Sequence, residues 1–398
     1  MGPWRWPTRP PLRVWIWTAA TVVLVVVGAL LWRNSDAAAT ESTTATPAGV
    51  PSGTPAGAVS EAWSARGGPL PENVVESGRV LVGSVHGVRA LDPLTGKEAW
   101  HYTRSNAVMC GLTATNGVAV AVFRTEDRCD EAVALTAATG VRAWTRNIRL
   151  RADATLDSTD RIVLASSPTG VVTLDPTGDN IRWRYHAPRG CRLLDSDVGS
   201  AGVAVLQQCP GSLTAQLRLL DGFQGSARWT LDLPARGGAD VRLLGADGLL
   251  GVLANGQVQA LASANGAVLR TLPVPGDAAQ EVQMRTVGNV ALLRVGGTLS
   301  ALDAASGRVL WEAPATGLPA ESNPGKKLPP TGLPIEPSPG RSAAALLVPT
   351  VDGFVRRDPA TGAELGRSAA TGLPIGGLTS GVGPVVVYRL AERVIAYR

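Results

Sequence analysis

Along most of the chain, apolar and polar positions alternate in short runs broken by Gly, Pro, Asp and Asn. Arg79 to Val85 turns at His86-Gly87 and returns as Val88 to Leu91. Asn289 to Val295 turns at Gly296-Gly297 and returns through Leu299 to Leu302. A period of two punctuated by turn residues predicts antiparallel hairpins, not helices. One segment breaks the pattern. Val14 to Trp32 carries no charge over roughly 19 residues, enough to cross a hydrocarbon core of about 30 Å as a helix. Trp15, Trp17 and Trp32 bracket it as interfacial aromatics do, and Arg5, Arg9 and Arg13 precede it while only Arg33 closely follows. That asymmetry predicts a cytoplasmic N-terminus and an extracytoplasmic remainder at the cell membrane. A cleaved signal peptide is the alternative, since Ala37-Ala38-Ala39 offers a small-residue cleavage site; the apolar run is longer than the usual 7–15 residues, which favours an anchor. The Ala/Thr/Ser/Pro/Gly-rich stretch that follows cannot bury a core and reads as a flexible tether. The expected domains are therefore a cytoplasmic tail over 1–13, a signal-anchor helix over 14–32, a linker over 33–59 and a β domain over 60–398.

The hairpins belong to a repeat. Ala90 to Trp100 reads ALDPLTGKEAW, Ala134 to Trp144 reads ALTAATGVRAW, and Ala301 to Trp311 reads ALDAASGRVLW. Weaker copies of the same length are TLDPTGDNIRW at Thr173 to Trp183, LLDGFQGSARW at Leu219 to Trp229, ALASANGAVLR at Ala260 to Arg270 and RRDPATGAELG at Arg356 to Gly366. Each places a tight turn between two strands, and with the hairpin before it gives four antiparallel strands per unit of roughly 40–45 residues, the size of a propeller blade. Of the six Trp beyond the membrane segment, five close a copy: Trp100, Trp144, Trp183, Trp229 and Trp311. Trp63 has no motif before it, while Ala396 begins a motif that stops at its third place. Circular closure explains both, with the Trp63 strand completing a blade whose other strands are C-terminal. Closure also removes unpaired sheet edges. Seven internal motifs and one split motif predict an all-β, eight-bladed propeller with one N-terminal transmembrane helix.

These Ala-x-Asp-x-x-x-Gly-x-x-x-Trp copies, over about Trp63 to Arg398, resemble the pyrroloquinoline quinone repeat family, which includes BamB-like proteins and quinoprotein alcohol dehydrogenases. The resemblance implies that Trp63, Trp100, Trp144, Trp183, Trp229 and Trp311 dock each blade onto a neighbour's motif Ala and Gly. Arg270 and Gly366 depart from the pattern at two junctions. The quinone enzymes of the family use a vicinal Cys pair and a calcium site with acidic ligands. No Cys-Cys occurs here.

The formal charge is +5, but Arg5, Arg9, Arg13 and Arg33 lie outside the globular part. No basic stripe remains to suggest nucleic acid. The four cysteines are an even set in a chain expected outside the cytoplasm, which favours disulfides over a zinc site. They occupy matching positions in two repeats: the first of each pair enters an innermost strand, and the second lies beyond the end of the next. Cys110 is therefore expected to pair with Cys129, and Cys191 with Cys209. Asp92, Asp175, Asp221, Asp303 and Asp358 recur with the blades, which reads as turn capping. His86, His101 and His186 stand in no catalytic motif. A Pro-rich insert, Ala313 to Arg341, carries Lys326 and Lys327 and is a candidate partner-binding loop, with a mobile surface loop that has no role as the favoured alternative. The expected working face is the one bearing the irregular loops Arg124 to Glu131, Gln207 to Thr214 and this insert, with the Thr-Gly turns on a smooth opposite face. The function expected is that of a non-catalytic binding or scaffold module at the cell envelope, without a cofactor, engaging a protein partner. A quinone-binding enzyme or sensor is the alternative.

Overall fold

The computed structural model describes residues 12–33, 35–47, 49–125, 127–151, 154–178, 180–234, 241–319 and 345–398. The apolar segment forms one helix, α1, Leu12–Arg33, fully exposed and long enough to span a membrane. One short helical turn, Asp36–Ala39, follows it, and Ser35 caps that turn by accepting from the Ala38 N–H at 3.2 Å.

Eight sheets follow. Blade 1 comprises Val75–Glu76, Arg79–Ser84, Gly87–Leu91 and Glu98–Arg104; blade 2 comprises Val108–Thr115, Val118–Thr125, Arg128–Thr136 and Arg142–Asn147. Blades 3, 4, 5 and 6 repeat the order, beginning at Thr155–Ser158, Arg192–Gly199, Val241–Ala246 and Gln283–Val287. The first strands stand innermost and the fourth outermost. Burial follows from this: second strands such as Leu249–Ala254 are buried throughout, while fourth strands such as Val268–Pro273 are mostly exposed. The core lies between blades. Leu81, Val88, Trp100 and Tyr102 of blade 1 pack against Leu112, Ala121, Phe123 and Val133 of blade 2. Each such apolar side chain contributes about 1.5–3 kcal/mol on burial.

The ring closes as its split motif predicts. Glu61–Arg66 is the fourth strand of blade 8, antiparallel to Arg393–Tyr397, with Trp63 opposite Ala396 and Ser64 opposite Ile395. Blade 7 departs from the four-strand expectation. Among the described residues it has three strands, Leu346–Thr350, Gly353–Arg357 and Glu364–Ala369. Leu318–Pro319, from the start of the insert, instead pairs in parallel with the first strand of blade 8, Leu378–Val382. The rest of the insert, with Lys326 and Lys327, lies outside the described residues.

The linker is the clearest correction. It is not a free tether but a strap. Thr40–Ser42 adds a fifth strand to blade 1, Thr40 opposite Arg104 and Ser42 opposite Tyr102. The Thr43 N–H then donates to the His101 carbonyl and the Ala45 N–H to that of Thr139, both at 2.9 Å. Arg79 donates to the Thr46 carbonyl at 3.1 Å, and the Val59 N–H reaches Ala369. Asp36 fixes the start of the strap through Arg104 at 2.8 Å and Asn106 at 2.7 Å. Its composition does preclude a core of its own. Backbone pairing along an existing edge needs no apolar side chains, however, and it covers an edge that would otherwise be open.

Since neighbouring strands are antiparallel, loops joining second to third strands share one face with the blade-to-blade connections. We call this the loop face. Turns joining first to second and third to fourth strands share the other, the turn face.

Candidate functional site

The tryptophans bring the blades together by one repeated contact. Each indole N–H donates to the carbonyl of the fourth motif residue in the next blade: Trp63 to Pro93 (3.0 Å), Trp100 to Ala137 (2.9 Å) and Trp144 to Pro176 (2.9 Å). Trp183 reaches Gly222 (3.0 Å), Trp229 reaches Ser263 (2.9 Å) and Trp311 reaches Pro359 (2.8 Å). The turn glycine serves twice. Gly96 has φ +67°, and a Cβ there would stand 2.7 Å from the Trp63 ring, so only glycine admits both the turn and the ring. At the two exceptional junctions other groups fill in. Leu269, beside Arg270, lies where a Cβ on Gly307 would meet it at 3.0 Å. Beside Gly366, the strap residue Ala58 bridges to Ala369.

The motif aspartates cap their turns. Asp92 Oδ1 accepts from the Leu94 and Thr95 N–H groups, and Asp358 Oδ1 from those of Ala360 and Thr361. The Arg228 hydrogen bond and the Phe223 and Gln224 N–H groups hold Asp221 below the usual carboxylate range. The histidines are local: His86 Nδ1 meets the Ala107 carbonyl at 2.7 Å, and His101 Nδ1 meets Glu98 at 2.6 Å. Both disulfides form as paired above. Cys110–Cys129 ties the first and third strands of blade 2, and Cys191–Cys209 ties the ends of the first two strands of blade 4. Both stand at the loop face.

A concavity opens elsewhere. A cavity of about 580 Å³ occupies the channel mouth on the turn face, opposite the expected working face. First strands supply its wall: Thr113 and Thr115 from blade 2, Asp157 from blade 3, Asp197 from blade 4 and Arg285 from blade 6. Glu72, on the connection into blade 1, reaches Arg285 across the channel at 2.5 Å. Asp157 and Asp197 stand within side-chain hydrogen-bonding reach of each other, an arrangement that needs a proton between the two carboxyls. Burial pushes Asp157 up to about 6, and burial with the neighbouring Asp157 charge holds Asp197 well above the ordinary range. Thr113 Oγ1 meets Ser158 Oγ at 2.7 Å, and Thr115 Oγ1 donates to the Thr159 carbonyl at 2.9 Å, locking these strands together. The buried Oδ1 of Asn73, also on the wall, has no hydrogen-bond partner among the described residues.

Glu72, Asp157, Asp197 and Arg285 stand in none of the motifs singled out in the sequence. The only signal for them is polar substitution in strands expected to be apolar, Leu156-Asp157-Ser158 and Asp195-Ser196-Asp197.

A planar quinone with calcium, as the quinoprotein resemblance implies, does not fit this wall. Such a ring needs flat surfaces above and below it, and the only aromatic side chain on the wall is Phe223. The Glu72–Arg285 pair crosses the channel, and both disulfides lie at the other face. Among the described residues, no three His, Cys, Asp or Glu side chains are grouped to hold a metal ion.

Fold and wall together define a closed, tryptophan-docked eight-bladed propeller with an N-terminal apolar helix. The family model of the outer membrane protein assembly factor BamB matches residues 20–196 and 168–328, and the chain belongs to that family. Among solved structures, BamB from Moraxella catarrhalis is 16% identical, with 85% of this chain and 99% of that one covered at a TM-score of 0.47. The computationally designed Ika8 protein is 13% identical, with 85% and 98% covered at 0.53. Quinohemoprotein alcohol dehydrogenase ADHIIG from Pseudomonas putida HK5 is 14% identical, with 89% and 78% covered at 0.47. Likeness at such identity speaks to the fold alone. No curated protein matches the chain.

Proposed function

We propose that this chain is a membrane-anchored, extracytoplasmic propeller acting as a non-catalytic binding module, and that the channel mouth receives a basic group of an envelope protein partner. The observation that carries this reading is the charged cluster gathered across the channel. Glu72, Asp157, Asp160, Asp197 and Asp247 line the mouth against Arg161, Arg228 and Arg285. Arg285 is engaged by Glu72 and Arg228 by Asp221. A cationic side chain entering there would take the shared proton's place between Asp157 and Asp197, giving a charge-assisted hydrogen bond. The α1 helix and the arginines preceding it support the anchor and its orientation.

A photo-crosslinking side chain at Ser200, on the rim, tests this in native membranes. It should capture a partner, and the capture should fall at least about tenfold in Asp157→Asn/Asp197→Asn, as loss of a charge-assisted contact worth about 1.5–3 kcal/mol requires. Adding pyrroloquinoline quinone and calcium to the purified full chain should yield neither a bound chromophore nor dye-linked alcohol oxidation. Finding both would contradict the reading.

A further inference from the structure

We propose that the loop face of the propeller rests directly on the bilayer that holds α1, with apolar loop tips entering the interfacial region and arginines meeting anionic lipid phosphates. The inference rests on the reading of α1 as a retained anchor and adds to it a docking surface and its occupant.

Three independent features meet on this face. The first is the attachment point. Arg33 ends α1, and Asp36 is already held by Arg104 and Asn106, on the connection from blade 1 to blade 2. Three residues span at most about 10 Å. The edge of the loop face therefore lies within about one headgroup layer of the end of the helix. Arg104 is itself buried and also pairs with Glu131 at 2.6 Å, so the mount is part of the folded ring.

The second feature is where exposed apolar side chains stand. Outside α1, the four most exposed large hydrophobic side chains among the described residues are Leu213 (83%), Val351 (70%), Ile375 (67%) and Val85 (60%). All four are on the loop face. Val85 tips the loop before the motif-bearing strand of blade 1, Leu213 that of blade 4 and Val351 that of blade 7, where Gly353–Arg357 begins the motif, and Ile375 lies on the connection from blade 7 to blade 8. Val351, Ile375 and Val85 fall in the sector of blades 7, 8 and 1, and Leu213 stands across the ring on blade 4. A compact protein partner would cover a patch; only a plane touches separated tips around a disc.

The third feature is charge. Arg149 and Arg151, on the connection from blade 2 to blade 3, and Arg189 and Arg192, at the entry to blade 4, are all exposed. The exposed Asp127 in this sector is taken up by Arg128 at 3.9 Å. Guanidinium groups beside apolar tips are the composition that suits a headgroup layer, where phosphate lies just above acyl chains.

An environment-sensitive fluorophore placed by Leu213→Cys, and in a second protein by Val351→Cys, tests the proposal. A third protein, Phe223→Cys on the turn face, is the control. The full chain is reconstituted into vesicles of phosphatidylcholine alone, or of phosphatidylcholine with phosphatidylglycerol. Flotation with the vesicles reads the anchor, and quenching by headgroup-nitroxide lipid reads the docking. Labels at 213 and 351 should shift to the blue and lose most of their emission to the lipid quencher, while the label at 223 keeps its own. Arg149→Gln/Arg151→Gln/Arg189→Gln/Arg192→Gln should abolish the additional quenching that phosphatidylglycerol confers. Flotation with the labels at 213 and 351 open to an aqueous quencher would overturn docking and leave the anchor standing. So would labels shielded from both quenchers, the signature of a protein partner. A chain that does not float would overturn anchor and docking together.

Discussion

At the scale of single residues, two kinds of side chain govern the molecule, and the sequence reveals them unequally. The docking tryptophans are legible because the same turn recurs, and a ring that must meet the next blade's glycine is placed by the repeat. Trp100 is fully buried, with its indole N–H satisfied by Ala137. Trp100→Ala should cost about 3–5 kcal/mol, and the half-buried Trp229 distinctly less. Equal shifts in the urea midpoint would show that junction packing does not follow burial. The channel residues are much less legible, because nothing periodic marks them. Asp157 and Asp197 become a pair only when blades 3 and 4 stand side by side. Their raised pKa values have a definite consequence for stability. Protons bind the folded pair more tightly than the unfolded chain, so their contribution is full below the unfolded carboxylate value, about 3.9, and the part due to Asp157 is lost as pH rises through about 6. Asp157→Asn, which cannot ionise, should flatten the decline in melting temperature between about pH 4 and 6. A wild-type profile unchanged by the substitution would remove the shared proton from the account.

At the scale of elements, the strands and turns follow the alternation closely, since a half-buried strand and a turn needing Gly or Asp leave direct marks in the sequence. The hairpin expected at Arg79 to Leu91 forms as Arg79–Ser84 and Gly87–Leu91. The strap was hidden because its pairing is made by backbone groups, which any sequence possesses. The three-stranded form of blade 7 among the described residues was hidden because Leu318–Pro319, ahead of the long insert, pairs with blade 8 instead. The disulfides belong to this scale as well. Cys110–Cys129 closes a separation of 19 residues and Cys191–Cys209 one of 18. Either closure should contribute roughly 3 kcal/mol by restricting the unfolded chain. Cys110→Ser/Cys129→Ser should lower the unfolding midpoint accordingly, and Cys191→Ser/Cys209→Ser by a similar amount. If either change left the midpoint in place, the bond would have no part in holding its blade.

At the scale of the whole molecule, the two faces divide the surface chemistry. The turn face carries the channel mouth with its carboxylates; the loop face carries the disulfides, the apolar tips and the attachment of α1. This division exists only if the ring is closed, because a channel requires blade 8 to stand beside both blade 7 and blade 1. Closure depends on pairing between the two ends of the propeller, Glu61–Arg66 with Arg393–Tyr397. Trp63 then continues the docking series onto Pro93 of blade 1. Amide hydrogen exchange of the full chain measures this most directly. Val394 to Tyr397 should be as strongly protected as the second strand of blade 4, although they lie at the end of the chain, where fraying is the rule. Ala65→Pro, which removes the N–H at the hydrogen-bonded position opposite Val394, should strip protection from Val394 to Tyr397 and leave Gly202–Gln208 protected. Rapid exchange at Val394 to Tyr397 in the unaltered chain, or protection there that Ala65→Pro does not disturb, would contradict the closed ring.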